Sequence, residues 1–226
     1  MGRRRIGTAA TLPFLIRRIV TQYRYSGKVG RPKKHDERTA AALLAAAERT
    51  VEAGGLPALS VRGLAADVGT TARAVYSLFG SKDGLVTALG ARGFGMLAEA
   101  VEQVPVTEDP THDLVEAGAA AFRGFVLARP ALFSVAIQHP DTAGTFREEA
   151  AAAFTQLEAR IARLHPTGLG GRSTLQASVE FHALCEGLAA VELRGQLPPG
   201  NEELTWLAAL GALVTGFAMA AIGPTA

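Results

Sequence analysis

Along the chain, apolar positions recur at three- and four-residue spacing, and Gly, Pro and short polar breaks separate the runs. No alternating stretch suggests a strand pair, so the pattern predicts an all-α protein. A first helix spans about Asp36 to Ala53, with Leu43, Leu44, Ala47 and Val51 on its apolar face. Asp36 and Glu37 suit the positive end of its dipole, and Gly54-Gly55 stop it. Ser60 caps a short second helix, Val61 to Asp67, Gly69 turns the chain, and Thr71 caps a third helix, Ala72 to about Leu78. After Gly80-Ser81 a long helix runs from Lys82 to about Gln103, and Pro105 and Pro110 close the N-terminal part. Further helices are predicted near 111–128, 130–138, 145–164, 172–194 and 201–222. Pro130, His139-Pro140, the Gly168–Gly171 stretch and Pro198-Pro199-Gly200 interrupt them.

The tightest pattern lies within 61–80. Leu64, Val68, Val75 and Leu78 fall at spacings that lay two short helices on the first, joined by a turn of about three or four residues. Ala65 stands where the helices cross and only a small side chain permits the approach. Gly69 stands in the turn, where a positive φ costs glycine nothing. This is a helix-turn-helix, a motif whose second helix lies in the major groove of duplex DNA while the first crosses the backbone. On the exposed face, Arg73 has the fork that pairs with guanine, and Ala72 the methyl that touches thymine. Thr71 and Tyr76 reach phosphates in this reading, as does Lys82 at a helix N-terminus. The competing readings are a plain surface arginine at 73 and a half-buried packing tyrosine at 76. Ser60, Arg62, Thr70 and Ser77 complete the candidate contact set.

A content of 48% hydrophobic and 19% charged residues describes an ordered globular chain. The net charge of +2 is unevenly held. Residues 1–38 carry 11 Lys/Arg against 2 Asp/Glu, and the remainder carries 12 against 19. A basic arm on an acidic body fits an end that meets a polyanion, and equally a solvated tail. Arg31, Lys33, Lys34 and Arg38 stand just before the first helix. Residues 1–30 therefore read as a basic extension, followed by 31–85 as the DNA-binding domain and 86–226 as a second, helical domain. Ile6 to Ile16 is broken by Gly7, two threonines and Pro13 and has no cleavage site in context, so no secretory signal is expected. Phe14 to Tyr25 has the pattern of a short basic amphipathic helix. Gly30-Arg31-Pro32-Lys33-Lys34 looks like a natural start, which leaves translation from near Val29 open.

Residues 36–85 resemble the DNA-binding domain of the tetracycline-repressor (TetR) family. The matching run is Leu44-Ala45-Ala46-Ala47, Gly54-Gly55, Ser60-Val61-Arg62, Leu64-Ala65, Val68-Gly69, and then Val75-Tyr76-Ser77-Leu78-Phe79-Gly80-Ser81-Lys82-Asp83-Gly84-Leu85. Thr70 departs from it, since an aliphatic residue is usual there. The resemblance implies an all-helical homodimer, each subunit placing its third helix in one half of a near-palindromic operator. It also implies that the basic residues before the first helix reach an adjacent minor groove or the phosphates, so affinity should fall steeply with salt.

The second half more weakly resembles a C-terminal domain of some TetR relatives, named WHG for Trp, His and Gly residues in one helix. The matching pieces are Phe125-Val126-Leu127-Ala128-Arg129-Pro130-Ala131-Leu132-Phe133 and Glu186-Gly187-Leu188-Ala189-Ala190-Val191-Glu192-Leu193. Gly187 stands, Glu186 takes the place of the histidine, and no tryptophan is near. An apolar pocket with a few polar groups is expected here. Its candidates are Phe94, Met96, Phe122, Phe125, Phe133, Ile137, Phe154, His182, Cys185 and Glu186, each of which also fits a plain core role. With few basic residues inside, an apolar or weakly cationic small-molecule effector is expected. His182 and Glu186 also fit a simple pair at i,i+4 spacing or a contact across a dimer interface.

Leu204 to Gly223 holds no charged residue, which raises a membrane span. Thr205, Thr215, Gly211 and Gly216, and the lack of flanking Lys/Arg, favour a soluble helix pair instead. That helix is expected to pair with 172–194 across a two-fold axis, with Ala183, Gly187, Ala190, Leu207, Gly211, Val214 and Ala218 in close contact. An enzyme is not expected: the five histidines are scattered without metal-ligand spacing, and no glycine loop cradles a phosphate. The single cysteine, Cys185, reads as a small buried apolar residue, so no disulfide, metal or cofactor is expected. The expected partners are an operator in double-stranded DNA, a second copy of the chain and an effector, and no membrane. The expected compartment is the bacterial cytoplasm, at the nucleoid.

Overall fold

Helix α1, Lys34–Gly54, buries the face drawn by Ala40, Leu43, Leu44, Ala47 and Val51, and its first turn carries Asp36 and Glu37. It opens the first of three stretches that a computed structural model describes: residues 34–138, 147–164 and 169–218. The basic extension, with Arg31 and Lys33, lies outside them. A single 3₁₀ turn, Leu56–Ala58, leads to α2, Val61–Asp67, where Ser60 Oγ accepts from the Gly63 amide at 3.3 Å. Helix α3, Ala72–Phe79, is capped by Thr71, whose Oγ1 accepts from the Ala74 amide at 3.2 Å. Between them the Gly69 amide donates to the Ala66 carbonyl at 3.1 Å and the Thr70 amide to the Ala65 carbonyl at 2.8 Å. This is the paired-bond ending that calls for a left-handed residue after the helix, and Gly69 supplies it with φ +69°. No atom lies within 4 Å of where a Cβ would stand on Gly69, so backbone conformation alone requires glycine there. Ser81 Oγ then caps α4, Lys82–Glu102, by accepting from the Gly84 amide at 2.9 Å.

The chain divides into two compact units. One holds α1 to α3, α4 as far as Gly93, and the segment from Ala131. That segment is α6, Pro130–Phe133, extended by a π-helical stretch, Ser134–Gln138. Two acids of α1 organise this unit. The Glu52 carboxylate accepts from the Ala131 amide at 3.1 Å, at a helix N-terminus that favours negative charge. Glu48, almost buried, lies 3.5 Å from Nε of Arg92 on α4. Gly93 closes the arrangement: a Cβ there would come within 3.2 Å of the Leu132 carbonyl and 3.0 Å of the Ala136 methyl.

The second unit holds Phe94–Pro130 and the chain from Arg147 onward. Helix α5, Pro110–Ala128, is capped by Asp109, which accepts from the amides of Thr111 and His112 at 3.0 Å. Its middle, Ala117–Phe122, widens into a π-helix. Gly118 lies there, and an added Cβ would stand 2.6 Å from Leu210 and 3.0 Å from Phe181. Helices α7, Arg147–Ala162, α8, Thr174–Leu193, and α9, Glu202–Ala218, complete the unit around buried Phe125, Ile161, Phe181, Trp206, Leu210 and Phe217. Burial pushes the Cys185 thiol well above its ordinary pKa, with Glu186 adding to the shift, so it behaves as an apolar core group. No strand occurs among the described residues, and no single helix there is long and apolar enough to cross a membrane.

One buried acid joins three segments of this unit. Asp113 accepts from Nη1 of Arg163 at 2.5 Å and from the amide and hydroxyl of Thr107 at 2.8 and 2.7 Å. The Arg163 hydrogen bond is the main cause that holds its pKa at about 2, below the ordinary 3.8. A depressed folded-state pKa gives stability that is present above the unfolded value and is lost on acidification. Unfolding followed by circular dichroism should therefore show a component lost as pH falls from about 4 towards 2. An Asp113→Asn variant should lack that component.

Candidate nucleic-acid interface

Helix α3 turns Val75 and Phe79 into the core, where they are buried. That leaves Arg73, Tyr76 and Ser77 exposed, with Thr71 at the cap and Ala72 half-buried. Tyr76 is 51% exposed, so about half of its surface is open to solvent on this face. Ser60, Arg62 and Lys82 are exposed on the flanking elements, as is Arg38 near the start of α1, where Lys34 is the first residue. Thr70 is half-buried in the turn, and its backbone closes α2.

The charges on this side are unspent. Among the described residues, Arg38, Arg62, Arg73 and Lys82 form no ion pair, so each is free to meet an anion. Arg49, by contrast, pairs with Asp67 at 3.0 Å and ties α1 to α2. Exposed, unpaired cations on a short helix and its neighbouring elements are the kind of groups that meet phosphates and base edges in duplex DNA.

The pocket candidates scatter more. The rings of Phe122 and Phe154 stand nearly perpendicular to that of His182, with centroids 6.2 and 6.1 Å away. His182 Nε2 lies 3.0 Å from Glu186 Oε1, so these four form one cluster. Cys185 and Phe125 are buried in the same unit, and Phe94 and Met96 are half-buried on the part of α4 that belongs to it. Phe133 and Ile137 fall in the first unit instead, because α6 packs on α1 and α4 at Glu52 and Gly93. Among the interface candidates, Ala183 and Gly187 are exposed, while Ala190, Leu207 and Gly211 are half-covered and Ala218 ends α9. Val214 is 2% exposed, buried within the chain itself and so not open to a second copy. Leu175, Val179 and Leu204, all more than half exposed, were not singled out by small-residue spacing. Among the described residues no group of three His, Cys, Asp or Glu could hold a metal ion.

Two domain families match this chain. Residues 43–89 match bacterial regulatory proteins of the tetR family, and residues 115–213 match the tetracyclin repressor-like C-terminal domain. No curated protein matches. Among solved structures, a protein of unknown function from Rhodococcus sp. RHA1 is 23% identical, with a TM-score of 0.70 over 87% of this chain and 99% of its own. The TetR family transcriptional regulator PfmR from Thermus thermophilus is 19% identical, with a TM-score of 0.58 over 77% and 97%. RolR, solved in complex with resorcinol, is 13% identical, with a TM-score of 0.60 over 80% and 89%. At these identities the structural likeness is one of fold, and the domain matches carry the assignment. The chain belongs to the TetR family, as a helical DNA-binding transcriptional regulator and not an enzyme.

Proposed function

We propose that the protein is a homodimeric, ligand-responsive repressor that leaves a near-palindromic operator when a small, apolar effector binds its C-terminal unit. The observation that carries this reading is the exposed face of α3, with Arg73 and Tyr76 free and Val75 and Phe79 locked in the core. A two-fold dimer presents two such faces to successive major grooves, about 34–36 Å apart. Leu175, Val179 and Leu204 support dimerisation, since three large apolar side chains left open on α8 and α9 favour a partner surface. Ala183, Gly187 and the half-covered Gly211 allow the helices to approach closely. In this reading the dimer works in the cytoplasm, at the nucleoid.

The Phe122, Phe154, His182 and Glu186 cluster supports an effector with an apolar, aromatic-compatible body. RolR was solved with resorcinol, an aromatic ring bearing two hydroxyls. A route to the DNA is supported by α4, one continuous helix with residues in both units, and by α6, whose Ala131 amide is held by Glu52. The effector moves the equilibrium only by its preference for the released state.

Sedimentation and fluorescence anisotropy with duplex DNA from upstream of the gene test this reading together. Wild type should run as a dimer and bind a two-half-site duplex far more tightly than a single half-site. Leu175→Glu combined with Leu204→Glu should give monomers and lose that advantage. A wild-type monomer with equal affinity for one and two half-sites would sink the proposal.

A further inference from the structure

A groove of about 540 Å³ opens in the second unit, where the last turn of α4 and the following loop meet the first half of α5. It shares no residue with the His182 cluster or with the DNA-facing set. Its volume lies in the range of sites that hold small molecules. Ala100, Val104, Pro105 and Ala120 supply apolar wall, and Glu116 and Gln103 are polar groups on its surface.

The charge pattern on that surface is specific. Asp113 also touches the groove, but Arg163 and Thr107 take up its carboxylate. Arg160 stands behind the wall with Nη2 on the carbonyls of Val101 and Val104, at 2.7 and 2.8 Å. No Lys or Arg lines the groove; His112, four residues before Glu116, is its one basic side chain and forms no ion pair with Glu116. Glu116 is half-buried, and among the described residues its carboxylate has no ion-pair or hydrogen-bond partner. An unpartnered carboxylate beside apolar wall is complementary to a cation with a hydrocarbon body.

We propose that this groove is a binding site for a small organic cation, with the ammonium at Glu116 and the apolar body against Ala100, Val104 and Ala120. The site lies at the C-terminal turn of α4, the turn whose carbonyls Arg160 holds, so an occupant presses on a fixed helix end. The inference does not depend on the repressor reading, because binding is measured on the protein without DNA.

Ligand-detected NMR and calorimetry on the full-length protein compare phenyltrimethylammonium with its neutral isostere tert-butylbenzene. Wild type should bind the cation at least about tenfold more tightly than the isostere, the worth of one charge contact at a partly open site. Glu116→Gln should erase that preference and leave the weak binding of the isostere as it was. Ala120→Leu, at an exposed position where added volume is tolerated, should block both ligands. Far-UV circular dichroism confirms that each variant is folded. No measurable cation binding, equal affinity for the two ligands, or a preference that survives Glu116→Gln would each overturn the proposal.

Discussion

Arg73→Ala is expected to lower operator affinity by between about 30-fold and 10⁴-fold, and to relax the sequence preference at one position of each half-site. The range follows from the proposed two-fold dimer. Each bidentate arginine–guanine pair is worth about 1–3 kcal/mol of discrimination, and both subunits lose theirs at once. Arg73 can make such a pair because it is exposed and unpaired on a helix whose opposite face, Val75 and Phe79, is fixed in the core. Lys82→Ala provides the contrast. Lys82 sits at the first position of α4, outside the recognition helix, and in this reading it meets a phosphate. Its loss should weaken binding alike on all sequences and flatten the slope of log affinity against log salt by about 2 for the dimer. Anisotropy titrations on the operator and on guanine-substituted duplexes, over a salt series, separate the two. Were Arg73→Ala to cost the same factor on every duplex, Arg73 would be a backbone contact and the recognition face would be wrongly drawn.

The parts of the DNA-binding unit that were legible in the sequence are those fixed by local chemistry. Ser60 and Thr71 are caps, and each takes the amide three residues on. Gly69 is glycine because the backbone needs φ +69°, a demand visible from the short spacing between two helical runs. Prolines and glycines bounded the later helices within a few residues for the same reason, since they act on their own backbone; the expected start at 145 and end at 222 lie outside the described residues. Tyr76 was ambiguous in sequence, as apolar periodicity alone does not show which side of a short helix faces water. Its exposure follows only once Val75 and Phe79 are seen to fill the core.

The illegible parts depend on partners distant in the chain. Nothing near Ala131 in sequence shows that Glu52, 79 residues earlier, accepts from its amide, so Phe133 and Ile137 read as effector-domain residues when they belong with α1 to α3. Glu48 and Glu52 stand four apart on α1, among alanines, where two acids look like a solvated stripe. The π-helical turn at 117–122 leaves no mark either, because its alanines and Gly118 suit an α-helix equally well. What sets it apart is the tertiary fit, with α8 and α9 close enough that a Cβ on Gly118 would strike Leu210. Leu175, Val179 and Leu204 carry no such mark, because small residues at helical spacing show where helices can approach and not where large side chains stay open.

The largest stability effect is expected at Glu192, which closes the second unit between three helices. Its carboxylate accepts from Nε of Arg123 on α5 at 3.1 Å and from Nη2 at 2.8 Å, a two-pronged pair. The same carboxylate accepts from Nε1 of Trp206 on α9 at 2.7 Å. The side chains of Arg123 and Glu192 are only 19% and 9% exposed, and Trp206 is fully buried. Hydrogen bonding to Glu192 is also the leading reason that the Arg123 guanidinium holds its proton more tightly than usual. Glu192→Ala strands a largely buried guanidinium and an indole N–H together. Removing one partner of a buried pair costs about 3–5 kcal/mol, since the remaining charge keeps its desolvation penalty and loses its compensation. For a chain of this length that corresponds to a fall in Tm of roughly 6–20 °C, at fixed protein concentration so that any dimer contributes equally. Adding Arg123→Met to Glu192→Met should recover much of the loss, because two apolar side chains leave no buried charge, and the double-mutant cycle then gives the coupling directly. A Glu192→Ala protein that melts within about 1 kcal/mol of wild type would mean that solvent screens the pair after all, as it does exposed ones, and that packing around Trp206 alone joins α5, α8 and α9.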